Sequence, residues 1–357
     1  HRQLDFIDSR NVGFNKNNVV VLPLAGDARQ KLPALKNELK RIPGVEACAA
    51  TSVVPGKRVM FLGVRVPSLA GTVAEDGSTD GSRSMRVVGA DEDFVKSLGL
   101  KIAEGRDFDI NNVSDSAGAF ILNEAAVREF KLKDPVGSPF EYTYTETPKI
   151  GKVIGVVRDF NFASVHAAVE PVMIHIYPMI YTTLCVRLDG NNLENTLSEL
   201  EDVWEGVTSF PFSYQFLDAS YDAMYKTERS TAQIITSFTL LALIIAGLGL
   251  FGIVSFFVSQ RTKEVGVRKV FGASHVSLIN ILSREYVLMA IVGNLVAVYP
   301  AYFIVNQWLQ QFAYHIDLSF ISFLAAFLLC EVFAFVSIIF VIMRTVRVNP
   351  STILRHE

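Results

Sequence analysis

The sequence predicts an α+β extracytoplasmic domain followed by an all-α membrane domain of three transmembrane helices. The first is read as a ferredoxin-like split βαβ subdomain with an inserted mainly-β subdomain. Three observations carry this. The 357-residue chain is 50% hydrophobic with a mean hydropathy of +0.32, above an ordinary soluble protein, and the excess lies after Ile234. Three apolar runs in that part are each long enough to cross a bilayer. Before them, two strand–helix–strand patterns flank a long insertion of short strands.

The extracytoplasmic domain is read as residues 1–218. Asn18–Leu24 (NVVVLPL) is β-branched and bounded by Asn and Gly. Asp27 is placed to cap a helix through Arg41, with Leu32, Leu35 and Leu39 at helical spacing and Ile42-Pro43-Gly44 as its stop. Val45–Val54 follows as a strand. The order recurs in Tyr181–Leu188 as strand, Asn191–Val207 as helix with Leu193, Leu197, Leu200 and Trp204 on one face, and Phe212–Leu217 as strand. These two units, about 11–54 and 176–218, make the split βαβ subdomain. In the insertion, about 55–175, strands are expected at Met85–Gly89, Phe120–Asn123, Phe140–Thr145 and Lys149–Val157, and short helices at Asp91–Leu98 and Asn123–Lys131. Ala70–Arg83 is glycine-rich and acidic and reads as an exposed loop. Cys48, Cys185 and Cys330 show no metal-ligand spacing. Cys48 and Cys185 are expected as buried free thiols, with a disulfide as the alternative.

Ala219–Gln233 is amphipathic, with Tyr221, Met224, Tyr225 and Ala232 on one stripe. It is expected to run as a stalk helix, 219–233, without a break into the first apolar run. The runs Ile234–Ser259, Tyr286–Val305 and Leu318–Met343 each reach about 30 Å or more at about 1.5 Å per residue. The loop 260–276 holds Arg261, Lys263, Arg268 and Lys269, and the tail 344–357 holds Arg344, Arg347 and Arg355, whereas the connection 306–317 has neither Lys nor Arg. The positive-inside rule makes loop and tail cytoplasmic and the connection external. Residues 1–230 are then extracytoplasmic, and a spanning segment or targeting signal is expected upstream of His1.

Few motifs invite an enzymatic reading. Gly247-Leu-Gly249-Leu-Phe-Gly252 matches a dinucleotide fingerprint, but it sits inside an apolar helix with no strand before it. Helix packing through Ala242, Ala246, Gly249 and Gly252 accounts for it better. Gly56-Lys57 and Gly151-Lys152 lack the remaining residues of a P-loop, GxSxG and HExxH are absent, and the six histidines are scattered. No catalytic, cofactor or metal site is expected in this chain, and a net charge of −3 gives no reason to expect nucleic acid. Two features remain. In the basic loop Val267, Val270 and Phe271 form an apolar face, Glu264 pairs with Arg268 at i+4, and Gly272 stops the helix; an interfacial helix at the membrane surface accounts for these equally well. Glu331 lies in the middle of the third run, where an ionisable side chain is costly. It is expected as a neutral carboxyl hydrogen-bonded to a neighbouring helix, through Asn294 or Ser255, with a gating or proton-linked role as the alternative.

Several ordered stretches also carry a family resemblance. KEVGVRKVFGAS after GLGLFGIVSFFVSQRT resembles the FtsX-like permease signature of MacB-type ABC transporters. ERSTAQIITSF, WLQQFAYHIDLS and VRVNPSTILRHE resemble its stalk, outer connection and closing motif. GLKIAEGRDF, FILNEAAVREF, DPVGSPF and VIGVVRDFNFASVH resemble the MacB-type periplasmic core domain. The resemblance implies an inner-membrane permease, lacking here the family's first helix as though it were the second half of a longer one. It implies a separate ATPase, holding the ATP and Mg²⁺, docked on a coupling helix carried over onto Glu264–Ala273, with Glu264, Gly266, Val267, Arg268, Lys269, Val270, Phe271 and Gly272 at the contact. Tyr221, Tyr225 and Glu228 fall on the stalk. Further implied partners are a second permease copy or an N-terminal half, membrane lipids, and a periplasmic adaptor with an outer-membrane channel. The implied mechanism is mechanotransmission. The runner-up is a membrane-anchored signalling or scaffold protein controlling an extracytoplasmic partner without transport.

Overall fold

In the computed structural model of the chain, residues 12–57, 59–73, 77–143, 148–162, 168–310, 316 and 318–346 are described. They fall into two compact units that divide between Thr227 and Glu228.

The first unit begins with β1 (Val19–Pro23), α1 (Asp27–Gln30), α2 (Leu32–Leu39) and β2 (Val45–Thr51). The insertion adds β3 (Phe61–Arg65), β4 (Ser82–Gly89), α3 (Phe94–Ser97), β5 (Ile102–Gly105), α4 (Val113–Gly118), β6 (Ala119–Asn123), α5 (Glu124–Glu129), β7 (Pro139–Tyr142), β8 (Lys149–Val157) and β9 (Val172–His175). The chain then returns through β10 (Thr183–Leu188), α6 (Leu193–Val207), β11 (Gln215–Phe216) and α7 (Leu217–Asp222).

The strands of the two βαβ units form one antiparallel sheet in the order β11-β1-β10-β2. Numbered within the two units this order is 4-1-3-2, that of a ferredoxin-like split βαβ sheet. Alternation along β1 and β10 sends Val20, Leu22, Leu184 and Val186 to one face, where Leu35 and Leu39 of α2 and Leu200 and Trp204 of α6 cover them. All eight are fully buried, and each contributes about 1.5–3 kcal/mol relative to exposure. The same alternation settles the cysteines. Cys48 stands opposite Val186 and joins this core, whereas Cys185 stands opposite Ala49 and points to the other face. Both are free and buried.

The inserted strands form the sheet β5-β8-β6-β9-β4-β3-β7, and β7 also pairs with β8. Six strands thus close into a barrel. The nine-residue β8 makes this possible by sharing one edge: Lys149–Lys152 pair with β7 and Gly155–Val157 with β5, while β6 runs along the other edge. Closure leaves the barrel strands without an open edge. Met85, Phe120, Phe130, Phe140 and Tyr142 fill the interior.

Local structure departs from the sequence reading at several points. Asp27 is not a cap: Gly26 holds that position, and the Asp27 carboxylate accepts bonds from the Thr208 hydroxyl (2.5 Å) and the Ser209 N–H (3.1 Å) at the far end of the subdomain. The helix from Asp27 breaks at Lys31 because Pro33 has no N–H to give and its ring crowds the carbonyl four residues back. Phe212–Leu217 shortens to the two residues of β11. β3, β5, β9 and α4 carried no expectation. The stalk does not run from Ala219 as one α-helix: α7 ends at Asp222, Ala223–Tyr225 tighten into a 3₁₀ turn, and α8 (Lys226–Gln260) follows.

In the second unit α8 is followed by α9 (Thr262–Val270), α10 (His275–Leu309) and α11 (Phe320–Val346). Ser230–Gln260, Val276–Leu309 and Phe320–Met343 are each long and apolar enough to cross a membrane. The helix that carries the second apolar run begins at His275, eleven residues before the expected Tyr286, where Ser274 caps it, accepting from the Ser277 N–H at 3.2 Å. A buried cluster joins Val254 and Val258 of α8, Leu278, Leu282 and Tyr286 of α10, and Ile338, Val341 and Ile342 of α11.

Candidate functional site

The candidate site is α9 and its turn into α10. Val265 is the residue that ties it down: it is 5% exposed and joins the cluster of the three long helices. Gly266 is buried beside it. Val267, Val270 and Phe271, at i, i+3 and i+4, point the other way and are 47%, 66% and 86% exposed. Val265 lies two positions from Val267, roughly 200° around the helix, so the anchoring and presenting faces are nearly opposite. Glu264 Oε1 and Arg268 Nη2 pair at 2.7 Å along the exposed side, worth a few tenths of a kcal/mol. Arg261, at the start of the helix, pairs with Glu285 of α10 at 3.5 Å.

The helix stops by a Schellman motif. Gly272 has φ 86°, its N–H reaches the Lys269 carbonyl at 3.1 Å, and the Ala273 N–H reaches the Arg268 carbonyl at 3.0 Å. Only Gly272 and Ala273 then separate Phe271 from the Ser274 cap of α10. The segment therefore presents a fixed apolar ridge, flanked by basic side chains, with no slack between it and two long helices. Val265 escaped the sequence reading because it is out of phase with the apolar trio; a buried valine on the opposite side of a short helix has no signature of its own.

The other expected site residues separate. Tyr221 is a core residue of the first unit, 2% exposed, in edge contact with the Phe14 ring at 5.6 Å. Lys16 lies over its ring and pairs with Asp222 at 2.6 Å. Tyr225 sits in the 3₁₀ turn and Glu228 in α8, and their side chains lie outside the described residues. Ala242, Ala246, Gly249 and Gly252 are exposed, with open space over both glycines; the close approach within the chain is at Gly247, where an added Cβ would meet the Phe333 ring of α11 at 3.0 Å. Asn294 of α10 donates through Nδ2 to Glu331 Oε1 of α11 at 2.5 Å; the donor is Asn294, not Ser255.

One cluster in the first unit had no sequence signal. Lys36 of α2 reaches Asp91 at 2.6 Å, Asp93 at 2.9 Å and Glu92 at 3.2 Å, and Lys40 meets Asp93 at 2.5 Å. The three carboxylates have the spacing of a metal site, but the Lys36 ammonium already lies among them, so the donor set does not fit a cation. Burial opposes the charge on Lys36, but the Asp91 carboxylate holds its pKa above the usual lysine range. Burial pushes the Asp91 carboxyl up to about 6 against the pull of Lys36. The cluster is a seam between α2 and the start of the α3 turn.

Comparison with known proteins agrees with this architecture. The family described as MacB-like periplasmic core domain matches residues 6–203, and that described as FtsX-like permease C-terminal matches residues 236–350. The chain is 29% identical over 247 residues to the macrolide export ATP-binding/permease protein MacB of Sodalis glossinidius (strain morsitans), covering 64% of the chain and 36% of the relative. It is 28% identical over 233 residues to the protein of the same name from Neisseria gonorrhoeae (strain ATCC 700825 / FA 1090), covering 62% and 35%. The chain thus spans about a third of the length of the curated relatives it matches. The crystal structure of the periplasmic region of MacB from Actinobacillus actinomycetemcomitans is similar with a TM-score of 0.42 at 15% identity, over 61% of this chain and 97% of that one.

Proposed function

The chain belongs to the MacB/FtsX-type permease family, a MacB-like periplasmic core domain joined to an FtsX-like permease domain, and from this premise we propose that it transmits work from a separate ABC ATPase to its periplasmic unit. It is an inner-membrane permease of the ABC transporter class and supplies its transmembrane component. In the proposed mechanism the ATPase, with its ATP and Mg²⁺, closes against the ridge Val267, Val270 and Phe271. The displacement passes through Val265 into the helices that pack on it, and the periplasmic unit changes shape to move or extract a substrate on the outer side. A second permease copy or an N-terminal half completes the membrane assembly, and a periplasmic adaptor with an outer-membrane channel is the proposed outlet.

The observation that carries this reading is the exposure of Phe271, 86%, on a helix whose opposite side is anchored. A large apolar side chain held rigidly in the open beside Arg268 and Lys269 has the character of an interface anchor. The test uses the chain reconstituted in nanodiscs with the ATPase that copurifies with it. Phe271→Asp and Arg268→Glu/Lys269→Glu are expected to weaken that association at least about tenfold, the scale of a lost hot spot. Stimulated ATP hydrolysis should fall with it while the periplasmic unit keeps its native hydrogen exchange. Wild-type stimulation in both variants would overturn the proposal.

A further inference from the structure

Between α10 and α11, beyond the coupling turn, lies a groove of 470 Å³, within the roughly 300–1,000 Å³ of small-molecule sites. Most of its wall is one stripe of α10. Asn280, Ser283 and Arg284 line the end nearer the basic loop, and Val287, Leu288 and Ile291 continue it, with Phe335 of α11 closing the side. The spacing i, i+3, i+4, i+7, i+8, i+11 keeps all six on one face over about 16 Å. Polarity changes once along it, from three polar or charged side chains to three apolar ones. A helix of 35 residues is about 52 Å long against a hydrocarbon core of about 30 Å. With Tyr286–Val305 as the apolar stretch, the change of polarity falls at the cytoplasmic headgroup boundary. Arg284 forms no ion pair among the described residues, while Arg261 and Glu285 beside it pair with each other.

We propose that this groove binds one glycerophospholipid of the cytoplasmic leaflet, with its phosphate at Arg284, Asn280 and Ser283 and an acyl chain along Val287, Leu288, Ile291 and Phe335. The charge and the order of polarity match that molecule end to end. A free phosphate would leave the apolar half unused, and a lipid without phosphate would leave Arg284 unanswered at the membrane boundary. The site lies on the helix that follows the coupling turn but does not depend on the ATPase docking there.

The experiment is native mass spectrometry of the full chain in detergent, titrated with palmitoyl-oleoyl phosphatidylglycerol and challenged with dioleoylglycerol or inorganic phosphate. One phosphatidylglycerol per chain is expected to survive, and neither challenger should displace it at equal concentration. Arg284→Gln, which removes a charge-assisted contact, and Leu288→Trp, which fills the apolar half, should each weaken retention about tenfold. Val296→Trp, on an exposed part of α10 outside the groove, should not. Arg284 is exposed, so its variant keeps the proposal testable if Leu288→Trp fails to fold. Equal retention in all variants would mean annular lipid only and would overturn the site, as would displacement by phosphate or dioleoylglycerol alone. Efficient disulfide cross-linking of Leu288→Cys between two chains would place a second copy in the groove and overturn it equally.

Discussion

Replacing Lys36 by Met tests the seam of the first unit directly. The Lys36 side chain is 11% exposed and its ammonium lies within 3.2 Å of three carboxylates. Only Lys40 remains to answer them, and it meets Asp93 alone among the three. Removing one partner of a buried ion pair leaves the other uncompensated and costs about 3–5 kcal/mol. Asp91 cannot turn away to water, because its Oδ2 also accepts the Ala50 N–H at 2.7 Å and its Oδ1 the Asp93 N–H at 3.1 Å. The sign of the pH dependence follows. Burial already raises the Asp91 pKa to about 6, and without Lys36 it rises further. A folded pKa above the unfolded one gives stability that is full below about pH 3.9 and lost as pH rises through the folded value. The deficit of Lys36→Met should therefore be largest near pH 8 and shrink toward pH 5. Adding Asp91→Asn keeps an acceptor for Ala50 and removes the charge, so the double variant should recover much of the loss. Urea unfolding followed by Trp204 fluorescence in a Trp308→Phe background measures all four corners of the cycle. A loss below about 1 kcal/mol, or one that does not change with pH, would show that these charges are solvated and refute the reasoning.

Three further outcomes are expected. His175 is fully buried among Tyr142, Tyr177 and Phe120, and neither ring nitrogen has a hydrogen-bond partner among the described residues. Burial first, and then the charge on Lys149, lowers its pKa to about 3, so stability is present above about pH 6.5 and is lost as pH falls through 3, at up to about 1.4 kcal/mol per unit. His175→Phe should flatten that slope between urea midpoints at pH 7 and pH 4; an unchanged slope would exclude His175 as its source. Glu331→Gln keeps an acceptor for Asn294, whereas Glu331→Leu removes it, so thermal unfolding in detergent should place Leu below Gln by about 0.6–1.7 kcal/mol, and equal stabilities would discount the bond. Burial pushes the Cys48 thiol up to about 12 and the Cys185 thiol higher, so in a Cys330→Ser background native protein should take up no maleimide at pH 8 until it is unfolded; labelling of the native state would contradict the packing.

How far the sequence reached depended on how local each cause was. The apolar runs, the basic loop between them and the stripe Leu193, Leu197, Leu200, Trp204 act within one element, and the structure places helices there. The exposed ridge Val267, Val270 and Phe271 was visible for the same reason, since a period of three and four is local. β3 and β5 were invisible because they show no alternation of buried and exposed positions: β3 mixes exposed Phe61 with buried Val64, and β5 is exposed over Ala103–Gly105. Their strand state comes from neighbours distant in sequence. Tyr221 shows the limit in the other direction: its stripe read as a stalk face, and the tertiary contact with Phe14 made it core.

By itself, then, the sequence determined the chain's division into a mixed α/β unit and three long apolar helices, the position of the basic loop between the first two of them, and the helical form of that loop, because hydropathy, charge and periodicity are summed over adjacent residues. Only the tertiary structure decided that β7 meets β3 to close the barrel, that Lys36 lies among Asp91, Glu92 and Asp93, that Val265 anchors α9 to the long helices, and that Arg284 opens a groove ending at Phe335. Each of these is a meeting of side chains or edges more than 50 positions apart, or of faces on different helices, and short-range pattern holds no record of which distant surfaces will be pressed together to exclude water.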